Sequence, residues 1–143
     1  MDKLLISACL LGIPCRYDGK SEPAAKIDAL SKKYELIPVC PEQLGGLPTP
    51  RTPSERHGDR VVMADGTDVT AQYQKGARAA LEVYLRESCV AAVLKERSPS
   101  CGSGEIYDGT FTHTVISGDG VTAELLKKNG IKVYGETELD ALL

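Results

Sequence analysis

The segment KLLISACLLG, residues 3–12, is a short apolar run that leads directly into a cysteine, Cys9. The same arrangement occurs twice more along the chain. ELIPVCPEQLGG, residues 35–46, places Cys40 after an apolar run, and AAVLKERSPSCG, residues 91–102, places Cys101 in the loop that follows one. Because ligands of parallel sheets bind beyond the carboxyl ends of the strands, we expect the three thiols to converge at that edge.

Helical patterns lie between these strands. Residues 24–33 read as a short helix with Ile27 and Leu30 on its inner face, so the first two strands form a right-handed βαβ unit. The longest helix begins at Asp68, a candidate N-cap, and its apolar and small residues recur at helical spacing as far as Leu85.

The second half of the chain continues the alternation. CVAAVL, residues 89–94, is typical of a central parallel strand, and a helix over 122–129 ends at Asn129-Gly130 before a strand over 131–134 and a helical turn over 136–143. The order predicts a three-layer α/β/α sandwich with a mostly parallel, Rossmann-like sheet, and the length of 143 residues suits one domain spanning 1–143.

Two long loops interrupt the pattern. Prolines and glycines in PEQLGGLPTPRTPSERHG, residues 41–58, predict irregular structure for most of that stretch, and a Gly/Thr-rich stretch runs from Gly102 to Asp119. Residues 61–63 suit a minor strand or hairpin with Asp65-Gly66 as its turn. Loops this long in a compact domain are usually functional or disordered, and we expect residues 45–59 and 102–119 to shape a pocket.

Composition excludes several classes of partner. Seventeen basic and twenty acidic side chains give a net charge of -3, with both signs interspersed, so no nucleic-acid surface is expected. The apolar stretch from Leu4 to Ile13 is too short to span a bilayer and lacks the flanks of a signal peptide. We expect a cytoplasmic protein with no membrane partner; the sequence carries no information on oligomeric state.

The five cysteines are an odd number without a CxxC pair, which favours reduced thiols over a disulfide framework, a zinc ribbon or a thioredoxin-type motif. A metal site must therefore be assembled by the fold. Three converging thiolates, Cys9, Cys40 and Cys101, could hold an iron–sulfur cluster and leave one iron open. The alternative is that they are small buried apolar residues, although the proline and glycine neighbours indicate exposed turns.

The other two cysteines are assigned separately. Cys15 could be a fourth ligand, a resolving thiol for Cys9 or a loop residue, and spacing does not decide among these. Cys89 lies at the opposite end of its strand, where packing is its expected role. Arg16 follows Cys9 by seven positions rather than the six of a phosphate-binding Cys-x5-Arg loop, which argues against a phosphatase.

Several polar residues are candidates for the same crevice. Glu42 could act as a general acid or base, Ser98 and Ser100 could donate to substrate or sulfur or form a turn, and Arg51 and Glu55 could pair or grip a polar ligand.

Two further groups of residues give weaker signals. His57 and His113 lack the partner of a helical metal site and are expected at the surface. Gly118 and Gly120 precede a helix and could offer amides to an anion, a weak signal without a GxGxxG fingerprint.

Taken together, SACLLGIPCRYDG, PVCPEQLGGLPTPRTPSE and KERSPSCGSG resemble the small bacterial family, long called a domain of unknown function, that contains the thiouracil desulfidases. The resemblance runs over nearly the whole chain. It implies a 4Fe-4S cluster held by Cys9, Cys40 and Cys101, with a fourth iron that no residue binds, and it implies proton-handling roles for Glu42 and Ser98.

The resemblance also implies a reaction. The open iron would bind the sulfur of a thiolated pyrimidine such as thiouracil, and water would add with the help of Glu42. Sulfide would then leave without net redox change, so no nicotinamide or flavin is needed. Two alternatives remain: a non-catalytic sulfur or metal carrier, and thiol–disulfide exchange through Cys9 and Cys15.

Overall fold

The computed structural model describes residues 1–13, 15–19 and 26–143 of the chain. Its strands are β1 (Lys3–Ser7), β2 (Glu35–Val39), β3 (Ser54–His57), β4 (Arg60–Met63), β5 (Ala91–Leu94), β6 (Glu105–Tyr107), β7 (Val115–Ser117) and β8 (Val133–Gly135). Its α-helices are α1 (Ile27–Lys33), α2 (Pro41–Leu44), α3 (Thr70–Arg86) and α4 (Val121–Lys128), with 3₁₀ segments at Ala8–Leu11 and Glu136–Ala141.

A four-stranded parallel sheet in the order β2-β1-β5-β8 forms the centre of the fold. The central strand β1 pairs along its whole length with β2 and through Leu4–Ile6 with β5. The chain passes from β1 to β2 on one side and then crosses to β5 on the other. The switch point between β1 and β5 therefore opens a crevice at the carboxyl edge, where ligands of such sheets bind.

Alternate residues of β1 face two separate helical layers. Leu4 and Ile6 pack with Leu30 of α1 and with the C-terminal 3₁₀ segment. Leu5, on the opposite face, packs with Ala80 of α3 and Leu126 of α4. This arrangement confirms the predicted three-layer α/β/α sandwich, because each face of the parallel sheet is covered by helix.

Helix starts differ from the prediction by one or two residues where they can be compared. Residues 24 and 25 of the first predicted helix lie outside the described residues, and α1 begins at Ile27. Helix α3 begins at Thr70 with Val69 in the N-cap position, so the N-cap prediction for Asp68 was wrong by one residue. The Asp68 carboxylate still accepts the Thr70 amide, and this bond is the main reason why the pKa of Asp68 is lowered to about 2.

The two long loops contain more regular structure than the sequence predicts. The turn at Asp65-Gly66 is confirmed, since it brings Val62 against Asp68 in an antiparallel bridge. The minor strand predicted over residues 61–63 is confirmed as part of β4, but its pairing with β3 was not predicted, nor was the hairpin of β6 and β7. Helix α2 was also missed, although proline at its first position is favourable because that amide has no helical partner. No helix in the described part of the chain is long and apolar enough to cross a membrane.

Candidate metal centre and active site

A cavity of about 390 Å³ opens at the carboxyl edge of the sheet, and four of the five cysteines line it. We call it the cysteine cavity. Its thiols are those of Cys9, Cys15, Cys40 and Cys101; all are buried except Cys40, which is half-buried, and none is in a disulfide. The predicted convergence of Cys9, Cys40 and Cys101 is therefore present.

Cys9 and Cys40 are placed by the chain segments that directly follow their strands. Cys9 lies in the 3₁₀ segment after β1, which ends at Gly12 with a left-handed φ of 87°. Cys40 is the N-cap residue of α2, and its Sγ lies 3.8 Å from the carbonyl oxygen of Cys15. Short turns at the ends of two neighbouring strands thus direct both thiols into the crevice.

Cys101 is held by a turn that rests on the start of α4. Ser98 Oγ accepts the amides of Ser100 and Cys101 at 3.1 and 3.0 Å. The first amides of α4 donate to the carbonyl oxygens of Pro99 and Ser100. A Cβ on Gly120 would lie 2.5 Å from the Ser100 carbonyl oxygen, so only glycine permits this close approach.

The amides of Gly118 and Gly120 donate within the chain, to the carbonyl oxygens of Gly104 and Gly102. They are therefore not available to an anion, and that expectation was wrong. The start of α4 serves instead to fix the loop that carries Cys101.

Burial and neighbouring thiols disfavour the charged form of three cysteines. Burial raises the pKa of Cys101 to about 12. The Cys40 thiol lowers the pKa of Cys15, but the hydrogen bond between Cys15 and Cys9, together with burial, outweighs it and raises that pKa to about 11. The hydrogen bond with Cys15, followed by burial, also raises the pKa of Cys40. Because metal ligation requires thiolates, binding of a cation here displaces protons.

Glu42 reaches the same cavity from the first turn of α2. Its Oε2 accepts the hydroxyl of Tyr73 at 2.8 Å and forms an ion pair with Arg51 Nη2 at 2.9 Å. Ser98 also lines the cavity. The structure therefore brings both residues proposed for proton handling to the wall that the cysteines share.

The family model for 2-thiouracil desulfurases matches residues 4–138. The chain belongs to this family. The match spans the sheet, the cysteine cavity and the helices on both faces, so family membership applies to the whole fold.

Two relatives of this 2-thiouracil desulfurase family member are informative. The uncharacterized protein YbbK of Bacillus subtilis (strain 168) is 44% identical over 150 aligned residues, covering 98% of this chain and 99% of YbbK. The solved structure of a 4Fe-4S-dependent thiouracil desulfidase, TudS, superposes with a TM-score of 0.93 at 47% identity, covering 99% of this chain and 95% of the TudS chain. The predicted family resemblance is confirmed.

The donor set of the cavity fits an iron–sulfur cluster. The described residues contain no group of three His, Cys, Asp or Glu side chains that could hold a single metal ion. A cluster requires a different arrangement, because each thiolate binds a different iron and the ligands surround a larger group. Reduced thiols from three strand ends around one cavity meet that requirement.

The two remaining cysteines lie in different places: Cys15 lies at the cysteine cavity and Cys89 lies in the core of this family member. Cys15 lies in the cavity wall next to the thiols of Cys9 and Cys40. Cys89 is buried in the core on the α3 side, at the amino end of β5, which agrees with its predicted packing role. Cys15 is thus the one further thiol at the site.

The expected pairing of Arg51 with Glu55 was wrong. Arg51 pairs with Glu42, whereas Glu55 accepts the amides of Gly109 and Phe111 at 3.0 and 3.1 Å. Glu55 lies on β3, which pairs with β4, and its carboxylate is buried. Through the two hydrogen bonds it holds the β6–β7 loop against β3, at the cavity. The proline-rich segment that contains Arg51 and Glu55 shows no helical or strand spacing, so the sequence alone does not predict which groups these two side chains contact.

Some cavity residues gave no recognisable signal in the sequence. Ser7 is one: it ends β1, is 3% exposed, and its Oγ accepts the Lys95 amide at 2.9 Å. It also lowers the pKa of Cys101, against the larger effect of burial. In the sequence it only interrupts an apolar run. Tyr73 contacts Glu42 from the core rather than from the cavity wall, and in the sequence it reads as an ordinary core position of α3.

The two histidines also differ. His57 is exposed, as predicted, and contacts the Asp108 carbonyl oxygen. His113 is exposed too, but it lies at the cavity wall with its ring 5.6 Å from that of Tyr107 in an edge-to-face arrangement. The β6–β7 hairpin, which was not predicted, is what brings His113 there.

Proposed function

We propose that this protein is a desulfidase that replaces the sulfur of a small thiolated pyrimidine, such as thiouracil, with oxygen and releases sulfide. Water supplies the oxygen, so C=S and H₂O become C=O and H₂S without any external oxidant or reductant. The observation that carries the proposal is the convergence of Cys9, Cys40 and Cys101 on one cavity that also contains the Glu42 carboxylate.

Cys9, Cys40 and Cys101 are the residues that would hold a 4Fe-4S cluster. A cluster with three protein thiolates supplies an open iron, a Lewis acid that polarises the C=S bond of a bound thiocarbonyl compound. TudS, the solved relative, is described as 4Fe-4S-dependent, which supports the same cofactor here.

Glu42 is the proposed proton acceptor. Within the described part of the chain, the two hydrogen-bond donors to Glu42 both contact Oε2, so Oε1 is the atom that takes a proton from water as the new C–O bond forms. The same oxygen then returns this proton to the departing sulfur as the C–S bond breaks. As the C=O bond forms, Oε1 takes up the second water proton and passes it to the sulfide, which completes H₂S.

Ser98 is the proposed hydrogen-bond donor to the substrate. A hydroxyl oxygen has two lone pairs, and those of Ser98 Oγ already accept two backbone amides. The hydroxyl proton remains, so Ser98 donates a hydrogen bond to a ring nitrogen or to the leaving sulfur and assists proton transfer there without giving up its own proton.

The test is sulfide release from 2-thiouracil by protein reconstituted with iron and sulfide without oxygen. Wild type should release sulfide and form uracil in equal amounts. Glu42→Gln should keep its iron and lose at least about 10²-fold in rate, the usual contribution of a general acid or base. Glu82→Gln, an exposed carboxylate on α3, is the matched control.

The same assay separates catalysis from sulfur or metal carriage. A carrier binds iron and sulfide but does not need Glu42, so equal rates for wild type and Glu42→Gln would support carriage. Release of sulfide by wild type and its loss in Glu42→Gln, with iron unchanged, would exclude it.

A further inference from the structure

The carboxylate of Glu42 is held on one side only. Tyr73 donates its hydroxyl to Oε2 at 2.8 Å, and Arg51 Nη2 contacts the same oxygen at 2.9 Å. A carboxylate oxygen has about two lone-pair sites. Two donors therefore occupy Oε2, while no hydrogen-bond donor among the described residues contacts Oε1.

Arg51 is an unusual partner because its side chain is only 3% exposed. Burial of the guanidinium is the largest single influence on the pKa of Arg51 and lowers it, but the charge and the hydrogen bond of Glu42, with smaller contributions from Tyr73 and Cys40, together raise the net pKa. Nη2 also donates to the Cys15 carbonyl oxygen at 3.2 Å, and Nη1 donates to Thr49 and Pro48. These bonds fix the guanidinium from several directions, so that the ion pair holds one geometry.

Tyr73 is a rigid partner for a different reason. It is 1% exposed in the core beneath α2, and burial followed by the Glu42 charge raises the pKa of its hydroxyl. The hydroxyl therefore stays protonated and keeps donating to Oε2.

Helix α2, which carries Glu42, lies directly on α3, which carries Tyr73. The two helices touch through backbone at Gly45 and Gly76: a Cβ on Gly76 would lie 1.8 Å from the Pro41 carbonyl oxygen. This contact fixes the distance between the Glu42 and Tyr73 side chains, because neither helix can shift without separating Gly45 from Gly76.

We propose that Arg51 and Tyr73 are positioning residues that hold Glu42 Oε2 and thereby present Oε1, alone, to water and to the leaving sulfur. The inference rests on the proposed function, in which Glu42 moves the proton. Arg51 and Tyr73 do not exchange protons with the substrate themselves. Their effect on the rate passes through the orientation of one carboxylate, where a displacement of about 1 Å can cost about 10²-fold.

Tyr73→Phe is the cleanest test, because it removes a single oxygen and keeps the ring in the core. We expect kcat for 2-thiouracil to fall by about tenfold or more, with KM and iron content close to wild type. Tyr84→Phe is the matched control: Tyr84 lies on the same helix, is also buried, and lies beside Cys89 rather than in the cavity wall, so kcat of this variant should not change.

A background lacking the carboxylate distinguishes positioning from general structural support. In Glu42→Gln protein, Tyr73→Phe should cause little further loss, because the group that it positions is already inactive. If Tyr73→Phe lowers kcat by the same factor in both backgrounds, the inference is overturned.

Arg51 is tested with two substitutions, because it also supports the proline-rich loop. Arg51→Met should lower kcat by about 10²-fold, and Arg51→Lys, which keeps a charge near Oε2, should recover part of it. Equal rates for Arg51→Met and wild type would contradict the inference.

A readout without catalysis separates the inference from the proposed function. In crystals of the cluster-free protein, the Glu42 carboxylate should keep its orientation in Tyr84→Phe and rotate or become disordered in Tyr73→Phe. If wild type releases no sulfide but this difference is seen, the proposed function fails while the positioning stands. An unchanged carboxylate in Tyr73→Phe overturns the positioning, whatever the activity.

Discussion

Ser98 Oγ accepts the backbone amide of Cys101 over 3.0 Å, and the same oxygen accepts the amide of Ser100 over 3.1 Å. The side chain proposed to donate a hydrogen bond to the substrate therefore also builds the turn that positions a proposed cluster ligand. Structure and chemistry at this position depend on one hydroxyl group.

Ser98→Ala should consequently weaken both properties. Loss of the acceptor leaves two amides of the turn without a partner, which costs about 1–3 kcal/mol in the free energy of unfolding, and the rate of sulfide release should fall by about 10²-fold. Denaturant titration of the cluster-free protein and the sulfide assay measure the two effects. Ser103→Ala, in the same loop, is the control, and a Ser98→Ala protein with wild-type stability and rate would contradict the dual role.

Thr122 is expected to stabilise the Cys101 loop from the other side. Its Oγ1 lies 2.7 Å from Ser100 Oγ, and both residues are fully buried. Thr122→Val preserves the shape but leaves the Ser100 hydroxyl without this partner, so the free energy of unfolding should fall by about 1–3 kcal/mol. Thr112→Val, on the exposed β6–β7 loop, should change it by less than about 0.5 kcal/mol in a urea titration.

Gly76→Ala tests the contact between α2 and α3. In an unconstrained helix interior this change stabilises by about 1 kcal/mol. Here the added Cβ would collide with the Pro41 carbonyl oxygen, so we expect destabilisation of about 1–3 kcal/mol together with slower sulfide release as Glu42 moves. Gln74→Ala, exposed on α3, is the control; a more stable Gly76→Ala protein would show that the two helices are not in contact.

Cys15 is expected to be dispensable for the cluster. Its backbone carbonyl oxygen accepts Arg51 Nη2 at 3.2 Å and lies 3.8 Å from Cys40 Sγ, and serine at this position keeps that carbonyl group. Cys15→Ser should therefore retain about four irons per chain after reconstitution, whereas Cys40→Ser should not. Loss of iron in Cys15→Ser to the extent seen in Cys40→Ser would instead make Cys15 a ligand.

The parallel sheet and the position of the thiols were predictable because they depend on local patterns. Apolar runs identify buried strands, and parallel strands direct their following loops to one edge. The convergence of Cys9, Cys40 and Cys101 therefore follows from the order of strands and loops along the chain. Cys89 could be set aside by the same reasoning, since it precedes its strand.

The partners of Glu42 could not be predicted in this way. Arg51 and Tyr73 lie in a proline-rich loop and on a long helix, and their meeting depends on how α2 packs against α3. The β6–β7 hairpin was missed because its strands have only three residues each, too few to show alternation. Side-chain partners formed by tertiary packing leave little trace in the local sequence.

The iron content and colour of the protein prepared without oxygen test the central claim most directly. The account predicts a brown protein with about four irons per chain, and loss of colour and iron in Cys9→Ala, Cys40→Ala or Cys101→Ala while Cys89→Ala retains both. A colourless wild-type protein in which all five thiols titrate freely after reconstitution would contradict it.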